Sequence, residues 1–207
     1  MSETSAALIT FGLLIISLSI HEAAHAWTSN RLGDPTARQL GRITLNPMAH
    51  IDWIGTVLFP LLAYMSNLPL IGWAKPVPVD MRNLRAPRRD FAIVAAAGPA
   101  SNLLQAAAAA GVLAALFDPS SMEVAARVLR YFIFLNVSLA VFNLIPIPPL
   151  DGGNMLAGIL PEQFARMFDQ LRSLGFILLY VLMFAGVFRR FVYPVSEAIY
   201  NVLVPIY

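Results

Sequence analysis

The residues best suited to chemistry lie within one turn of an apolar stretch near the amino terminus. Residues 21–25 are His-Glu-Ala-Ala-His, so two histidines stand four positions apart with a glutamate after the first. On a helix, positions i and i+4 share a face, and both imidazoles can therefore bind one zinc ion. Glu22 would lie beside that ion, where it can take a proton from water and pass it to a leaving amine. The motif indicates a metal-dependent hydrolase, unless it is only the hydrogen-bonded polar end of a helix.

A catalytic zinc usually has three protein ligands and one position left for water. The chain contains no cysteine and only one further histidine, so the third ligand is either His50 or a carboxylate. Asp151 is the strongest carboxylate candidate, because prolines precede it and Gly152 and Gly153, which follow it, let the backbone approach closely. Capping the amino end of a short helix near Asn154 is the other role open to Asp151, and it is compatible with metal ligation.

The surroundings of this motif are those of a membrane protein. Of 207 residues, 58% are hydrophobic and 13% are charged, whereas a soluble domain is about a quarter charged. Four stretches are long and apolar enough to span a bilayer as helices: they are 5–29, 90–117, 124–145 and 171–188. The first is predicted to be a retained helix, because neither a basic segment nor a cleavage site flanks it.

A fifth apolar stretch, residues 53–73, is predicted to re-enter the membrane rather than cross it. It is interrupted by Pro60, Asn67 and Pro69. The loops on either side, 31–42 and 75–89, are both rich in arginine and should both be cytoplasmic. One full crossing cannot separate two loops on the same side, although an ordinary proline-kinked span remains the alternative. The same charge rule places the amino terminus outside and the His-Glu-Ala-Ala-His motif nearer the cytoplasmic face.

These features predict an all-α polytopic membrane protein of about four to six transmembrane helices, forming a single membrane-embedded domain over residues 1–207. The tail, residues 191–207, carries two prolines and a glutamate and suits an interfacial segment or a short final pass. A net charge of +2 with scattered basic residues argues against a nucleic-acid partner. The sequence indicates no oligomeric state.

Several separated motifs resemble those of the site-2 protease family of intramembrane zinc metalloproteases. Beyond residues 21–25, the similar segments are Asn46–Asp52, Gly72–Val79, Ala97–Asn102 and Asn143–Gly153. Their order and spacing resemble the compact bacterial and archaeal members, which carry the H-E-x-x-H in the first helix and have no PDZ module or nucleotide-sensing domain. The resemblance implies a cell-membrane, multi-pass zinc metalloendopeptidase.

The resemblance also implies a site and a reaction. His21, His25 and Asp151 would bind one zinc ion per chain, and Glu22 would be the general base. The enzyme would hydrolyse peptide bonds within or next to transmembrane segments, in regulated intramembrane proteolysis or the clearance of signal-peptide remnants. Its partners would be a transmembrane protein substrate and the lipid bilayer.

Three further residues of these motifs would lie on helices around the site. Gly98 and Asn102 would belong to a helix packed closely against the catalytic one, and a hydrogen bond between helices is the simpler role for Asn102. Asn143 would hold an extended substrate backbone or the developing oxyanion, unless its amide only ties two helices together.

Two residues of the Asn46–Asp52 segment would serve the site from a loop. His50 would orient a metal ligand, contribute to an oxyanion site or cap the re-entrant segment. Asn46, together with His50 and Asp52, would line a path for water to the zinc. The alternatives to a protease are a membrane metal-binding or transport protein and an inactive protease-like scaffold. The glutamate placed between two ligands argues against the first, and the presence of all four catalytic positions, His21, Glu22, His25 and Asp151, argues against the second.

Overall fold

The structure, a computed structural model, describes residues 3–58, 61–62, 65, 73–115, 123–161, 163–164 and 174–204. Within these ranges the chain forms helices and no strand. The α-helices are α1 Glu3–Arg31, α2 Thr36–Gln39, α3 Pro87–Ala115, α4 Glu123–Asn143, α5 Asp151–Ile159, α6 Gly175–Phe184 and α7 Tyr193–Leu203. Shorter 3-10 turns occupy Pro47–Ala49 and Met81–Asn83, and π-helical turns occupy Trp53–Leu58 and Phe188–Val192. The predicted all-α polytopic fold is confirmed.

Three helices in these ranges are long and apolar enough to cross a membrane. They are Leu8–Arg31 of α1, Pro87–Ala115 and Glu123–Asn143. A fourth span is possible if Ile177–Phe184 and Phe188–Leu203 count as one segment, although the two parts are bent by 66°. The first three predicted spans are thus found. The fourth, 171–188, begins outside the described residues and continues as α6.

Contacts divide the chain into two compact units, Met1–Gly98 and Pro99–Tyr207. In the first unit, α1 is followed by a turn at Gly33, whose φ of 115° suits glycine, and then by the buried carboxylate of Asp34. That carboxylate accepts hydrogen bonds from the backbone and hydroxyl of Thr36, from the Asp80 backbone at 2.8 Å and from the Asn83 amide at 3.0 Å. Asp34 therefore ties the end of α1 to residues 80–83.

Residues 73–80 of the first unit are extended and anchored at both ends. The Trp73 amide donates to the Gly55 carbonyl at 3.2 Å, and the Trp73 carbonyl accepts from the Thr56 hydroxyl at 2.8 Å. At the other end, the Asp80 amide donates to Asp34. Residues 59–60, 63–64 and 66–72 lie outside the described residues, so the re-entrant path of the 53–73 segment stays a prediction.

The second unit has an alanine-rich core between α3 and α4. Its buried members are Ala106, Ala109, Ala110, Ile133 and Val137. Small side chains let membrane helices approach closely and pack by van der Waals contact. Helix α7 adds to this core, because the Tyr193 and Tyr200 rings contact the Phe134 ring at centroid distances of 5.6 and 5.8 Å.

The tail is more regular than its prolines suggested. Pro194 lies in the first turn of α7, where a backbone N–H has no helical partner to lose. The helix then continues to Leu203 and packs on α4. Proline at this position begins a helix rather than breaking it, and residues 205–207 lie outside the described part.

Candidate metal centre

The two motif histidines face one another on one side of α1. His21 and His25 are 4% and 8% exposed, and their rings meet edge to face with centroids 4.7 Å apart. The Nε2 atoms of the two rings are 3.0 Å apart. Zinc–nitrogen bonds of about 2.0–2.1 Å at a tetrahedral ion place two ligand nitrogens about 3.3 Å apart. The pair is therefore spaced as two ligands of one zinc ion would be.

A backbone carbonyl fixes which nitrogen of His25 can bind a metal. The Nδ1 atom of His25 lies 2.7 Å from the Val94 carbonyl oxygen on α3. Because a carbonyl only accepts, Nδ1 must carry the hydrogen, and Nε2 then presents its lone pair toward His21. An outer partner of this kind is the usual means by which a protein orients a metal-binding histidine.

Gly98 on α3 leaves the space in front of the two nitrogens. A Cβ atom at this position would lie 2.5 Å from Cε1 and Nε2 of His21 and would also collide with Nε2 of His25. Real Cβ atoms do not approach other atoms so closely, so no larger side chain fits without displacing the rings. The cradle formed by His21, His25 and Gly98 fits a small cation.

Glu22 follows His21 on α1 and is half-buried. Its charge acts on the buried guanidinium of Arg42. Burial lowers the pKa of Arg42, and the Glu22 carboxylate acts in the opposite direction. A carboxylate that follows one of two paired imidazoles has the chemistry of a general base, which can exchange a proton with water.

His50 is buried at 2% exposure, and both its ring and its main chain are in use. Its Nε2 lies 2.8 Å from the Thr44 carbonyl, and its own carbonyl accepts from the Lys75 amide at 2.8 Å. The ring also borders a small cavity on the side of α1 that carries Ile15 and Ser19. In the described part of the chain, the buried Nδ1 atom has no hydrogen-bond partner.

Asn46 and Asp52 cap helical turns in this loop. The Asn46 carboxamide oxygen accepts from the Met48 amide at 3.1 Å, and Asp52 accepts from the amides of Ile54 and Gly55 at 3.0 and 2.8 Å. Neither residue borders the cavity beside α1, whereas His50 does. Of the three residues predicted to line a water path, His50 is the one that borders this cavity.

In the second unit, Asp151 is the first residue of α5 and is half-buried. Leu150 occupies the N-cap position, so the alternative role of Asp151 as an N-cap is wrong: the helix begins earlier than Asn154. The following glycines are required by packing. A Cβ at Gly152 would lie 2.5 Å from the Ile145 carbonyl, and one at Gly153 would lie 2.6 Å from Ile147.

The two other candidate asparagines make hydrogen bonds of different kinds. Asn102 is fully buried, and its amide donates to the Asn136 side-chain oxygen at 2.9 Å, which joins α3 to α4. Asn143 instead donates from its amide to the Leu139 carbonyl of its own helix at 3.0 Å. Its amide therefore does not tie two helices through this bond, and its part in substrate binding stays a prediction.

Sequence reasoning missed three participants in these arrangements. Val94 acts through a backbone carbonyl, which no sequence pattern reveals. Asn136 lies in the middle of an apolar helix, where a buried polar residue is a signal of interhelical bonding that could have been used. Arg42 was counted only as one charge of a cytoplasmic loop, but it is buried at 5% exposure.

A spanning helix that presents two imidazoles with zinc-ligand spacing and a neighbouring glutamate defines a class, the membrane metallohydrolases. The comparisons narrow the class, and the chain belongs to peptidase family M50, whose profile matches residues 118–186. It is 35% identical over 192 residues to "Putative zinc metalloprotease YwhC" of Bacillus subtilis, covering 89% of this chain and 84% of that protein. It is 31% identical over 177 residues to "Putative zinc metalloprotease Rip2" of Mycolicibacterium smegmatis, covering 85% and 66%. No solved structure matches. The protein is a membrane zinc metalloprotease.

Proposed function

We propose that this protease hydrolyses peptide bonds within or next to transmembrane segments of membrane proteins. The observation that carries the proposal is the position of the paired imidazoles inside the Leu8–Arg31 span of α1. Ionisable side chains in a spanning helix are costly and are usually retained for function. A protease whose metal ligands lie at this depth acts on chains that are themselves in the membrane.

His21, His25 and Asp151 are the proposed ligands of one zinc ion. The spacing of the two Nε2 atoms and the Gly98 cradle support the histidines. A half-buried carboxylate at the start of α5 supports Asp151. His50 is the weaker third ligand because its Nε2 is already engaged by the Thr44 carbonyl.

A bound zinc ion supplies a Lewis acid that polarises the scissile carbonyl and makes water a stronger nucleophile at neutral pH. Glu22 takes the proton from the attacking water and delivers it to the amine of the leaving chain. His25 is held by Val94 throughout, so its ring does not need to reorient. A substrate helix must unwind locally to expose its carbonyl, and glycine or proline placed beside the cleaved bond should therefore raise the rate. Equal rates without these residues would exclude this requirement.

The topology and organisation of the enzyme are part of the same proposal. Residues 1–207 act as one membrane-embedded domain, with the amino terminus outside and the catalytic centre nearer the cytoplasmic face. Support for the orientation comes from exposed basic side chains between the last turn of α1 and the first turn of α3, and these are Arg31, Arg38, Lys75, Arg82, Arg85 and Arg89. Arg42 no longer supports it, because this side chain is buried.

Zinc content and cleavage of a model transmembrane substrate, measured together in detergent, test the proposal. The wild type should bind about one zinc ion and cleave. Glu22→Gln should keep the zinc and lose cleavage, and Asp151→Ala should lose both. If Glu22→Gln still cleaves, Glu22 is not the base. If the wild type binds zinc and never cleaves, a metal-binding or scaffold function replaces the proposal.

Two physiological roles are compatible with the proposed function, and they are distinguished by comparing two substrate classes, a signal-peptide remnant and an intact single-span protein. Preferential cleavage of the remnant supports clearance of such peptides. Preferential cleavage of the intact span supports regulated proteolysis.

A further inference from the structure

The charged side chain of Arg42 is buried, although removing a charge from water is energetically unfavourable. It is 5% exposed, whereas every other Lys or Arg side chain in the described ranges is exposed or half-buried. Moving a guanidinium out of water costs several kcal/mol unless its charge and its donors find partners. The location of Arg42 therefore needs a specific explanation.

Hydrogen bonds tie Arg42 to two parts of the first unit. Its backbone amide donates to the Ala37 carbonyl at 2.9 Å, which fixes the main chain just after the end of α2. Its Nη2 donates to the carbonyl of Lys75 in the extended 73–80 segment. The amide of Lys75 donates in turn to the His50 carbonyl. Both main-chain groups of Lys75 are thus held by protein atoms, one of them by the Arg42 side chain.

The charge of Arg42 interacts with that of the glutamate in the metal motif. Glu22 is the carboxylate whose charge acts on the guanidinium, and in the described part of the chain no ion pair within 4.0 Å joins the two. The oxygens of Glu22 are consequently not occupied by the arginine. The segment that Arg42 holds also reaches α1, because Ala74 borders the same small cavity as Leu18 and Ser19. Glu22 lies one turn further along that face of α1.

We propose that Arg42 is a positioning residue of the catalytic centre, which holds the 73–80 segment in place beside the Glu22 side of α1. This inference rests on the proposed function, since it takes Glu22 as the base. Arginine suits this role better than lysine because its planar guanidinium group offers several N–H donors in fixed directions. Lysine could keep the charge but would present a single, mobile ammonium group.

The test compares Arg42→Met and Arg42→Lys with Arg38→Met, a matched control at an exposed arginine of α2. Zinc content, kcat and KM for a model transmembrane substrate, and hydrogen exchange of the Lys75 amide are measured for each. Arg42→Met should keep its zinc, lose roughly ten- to a hundredfold in kcat with little change in KM, as a misplaced site does, and exchange faster at Lys75. Arg42→Lys should keep its zinc and recover kcat only in part. Arg38→Met should match the wild type in all measurements.

Several results would overturn the inference. One is an Arg42→Met enzyme within about twofold of the Arg38→Met control in kcat and exchange. If Arg42→Met does not fold, the result for Arg42→Lys tests the inference. A wild-type kcat in Arg42→Lys would show that the guanidinium group is not needed. Loss of both zinc and fold in Arg42→Lys would show that Arg42 has a purely structural role. The exchange measurement needs no cleavage. Failure of the proposed function, seen as cleavage by Glu22→Gln, is therefore distinguishable from failure of this inference.

Discussion

Replacing Gly98 by alanine should disable the metal centre through a single methyl group. The added Cβ would lie 2.5 Å from two atoms of the His21 ring and would also collide with the His25 ring. Ordinary contacts between such atoms are about 3.5–4.0 Å, so a ring or the helix must move by about 1 Å. His25 cannot simply turn away, because its Nδ1 is bonded to the Val94 carbonyl.

The size of the effect follows from that displacement. Overpacking of this kind typically costs about 1–3 kcal/mol, and a shift of about 1 Å is half the length of a zinc–nitrogen bond. If most of the cost falls on the metal-bound geometry, zinc affinity should fall roughly five- to a hundredfold. Cleavage at limiting zinc should fall in parallel, whereas excess zinc should restore part of it.

Chelator competition gives the zinc affinity of Gly98→Ala, and thermal unfolding of the metal-free protein separates folding from binding. Gly111→Ala is the matched control, because Gly111 lies on the same helix α3 with nothing within 4 Å of the added Cβ. That variant should be neutral, or more stable by up to about 1 kcal/mol, as alanine replaces glycine in a helix. Zinc affinity within twofold of the wild type in Gly98→Ala, or an equal loss in Gly111→Ala, would refute the reasoning.

Three further predictions concern the supports of the site. Asn102→Leu should destabilise the protein by about 1 kcal/mol because it leaves the buried Asn136 oxygen without its donor. A variant with both Asn102→Leu and Asn136→Leu should recover part of this lost stability when unfolding is measured in detergent. Asp34 is buried, which raises its pKa, but hydrogen bonds outweigh burial and lower it. Its stabilising effect should therefore be full above its unfolded pKa of about 3.9 and be lost as pH falls through the lower folded pKa; a gap between wild type and Asp34→Asn that does not narrow from pH 5 to 3 would contradict this. His50→Gln places a donor where Nε2 meets Thr44 and should unfold at a higher temperature than His50→Asn; the reverse order would show that the Thr44 bond is not what His50 contributes.

Much of the fold could be predicted because a membrane demands long apolar helices. The stretches 5–29, 90–117 and 124–145 correspond to α1, α3 and α4 within a few residues. The helix of the tail was not predicted because Pro194 was treated as an interruption, although proline is favoured in the first turn of a helix. Whether this tail is an interfacial segment or a short final pass stays a prediction. A proline is favoured in the first turn of a helix but interrupts a helix interior. Composition alone does not tell these two positions apart.

The motif histidines could be predicted from spacing, but the atoms that make them a site could not. The His25 tautomer depends on the carbonyl of Val94, a group that every residue possesses. Arg42 looked like an ordinary loop charge, and only its burial and its bond to Lys75 distinguish it. Contacts through backbone atoms and the burial of loop residues are properties of the folded chain, and they are the parts that sequence reasoning lacked.

Helix α1 shows how a polar site can be built on a helix that faces lipid. Among the described residues of α1, five polar side chains are buried. Four of them recur at every fourth position, and they are Ser17, His21, His25 and Ser29; the fifth is Ser19. Leu8, Ile16 and Trp27 are among its exposed apolar residues. Positions four apart form one stripe, so these four polar groups lie on one side of the helix, where the hydroxyls of Ser17 and Ser29 donate to carbonyls of the preceding turn. Ser19 lies on another side and borders the small cavity near His50. The stripe extends the two-histidine motif by one turn in each direction. The side of α1 that carries the candidate metal ligands is therefore polar over about three turns, and not only at residues 21–25.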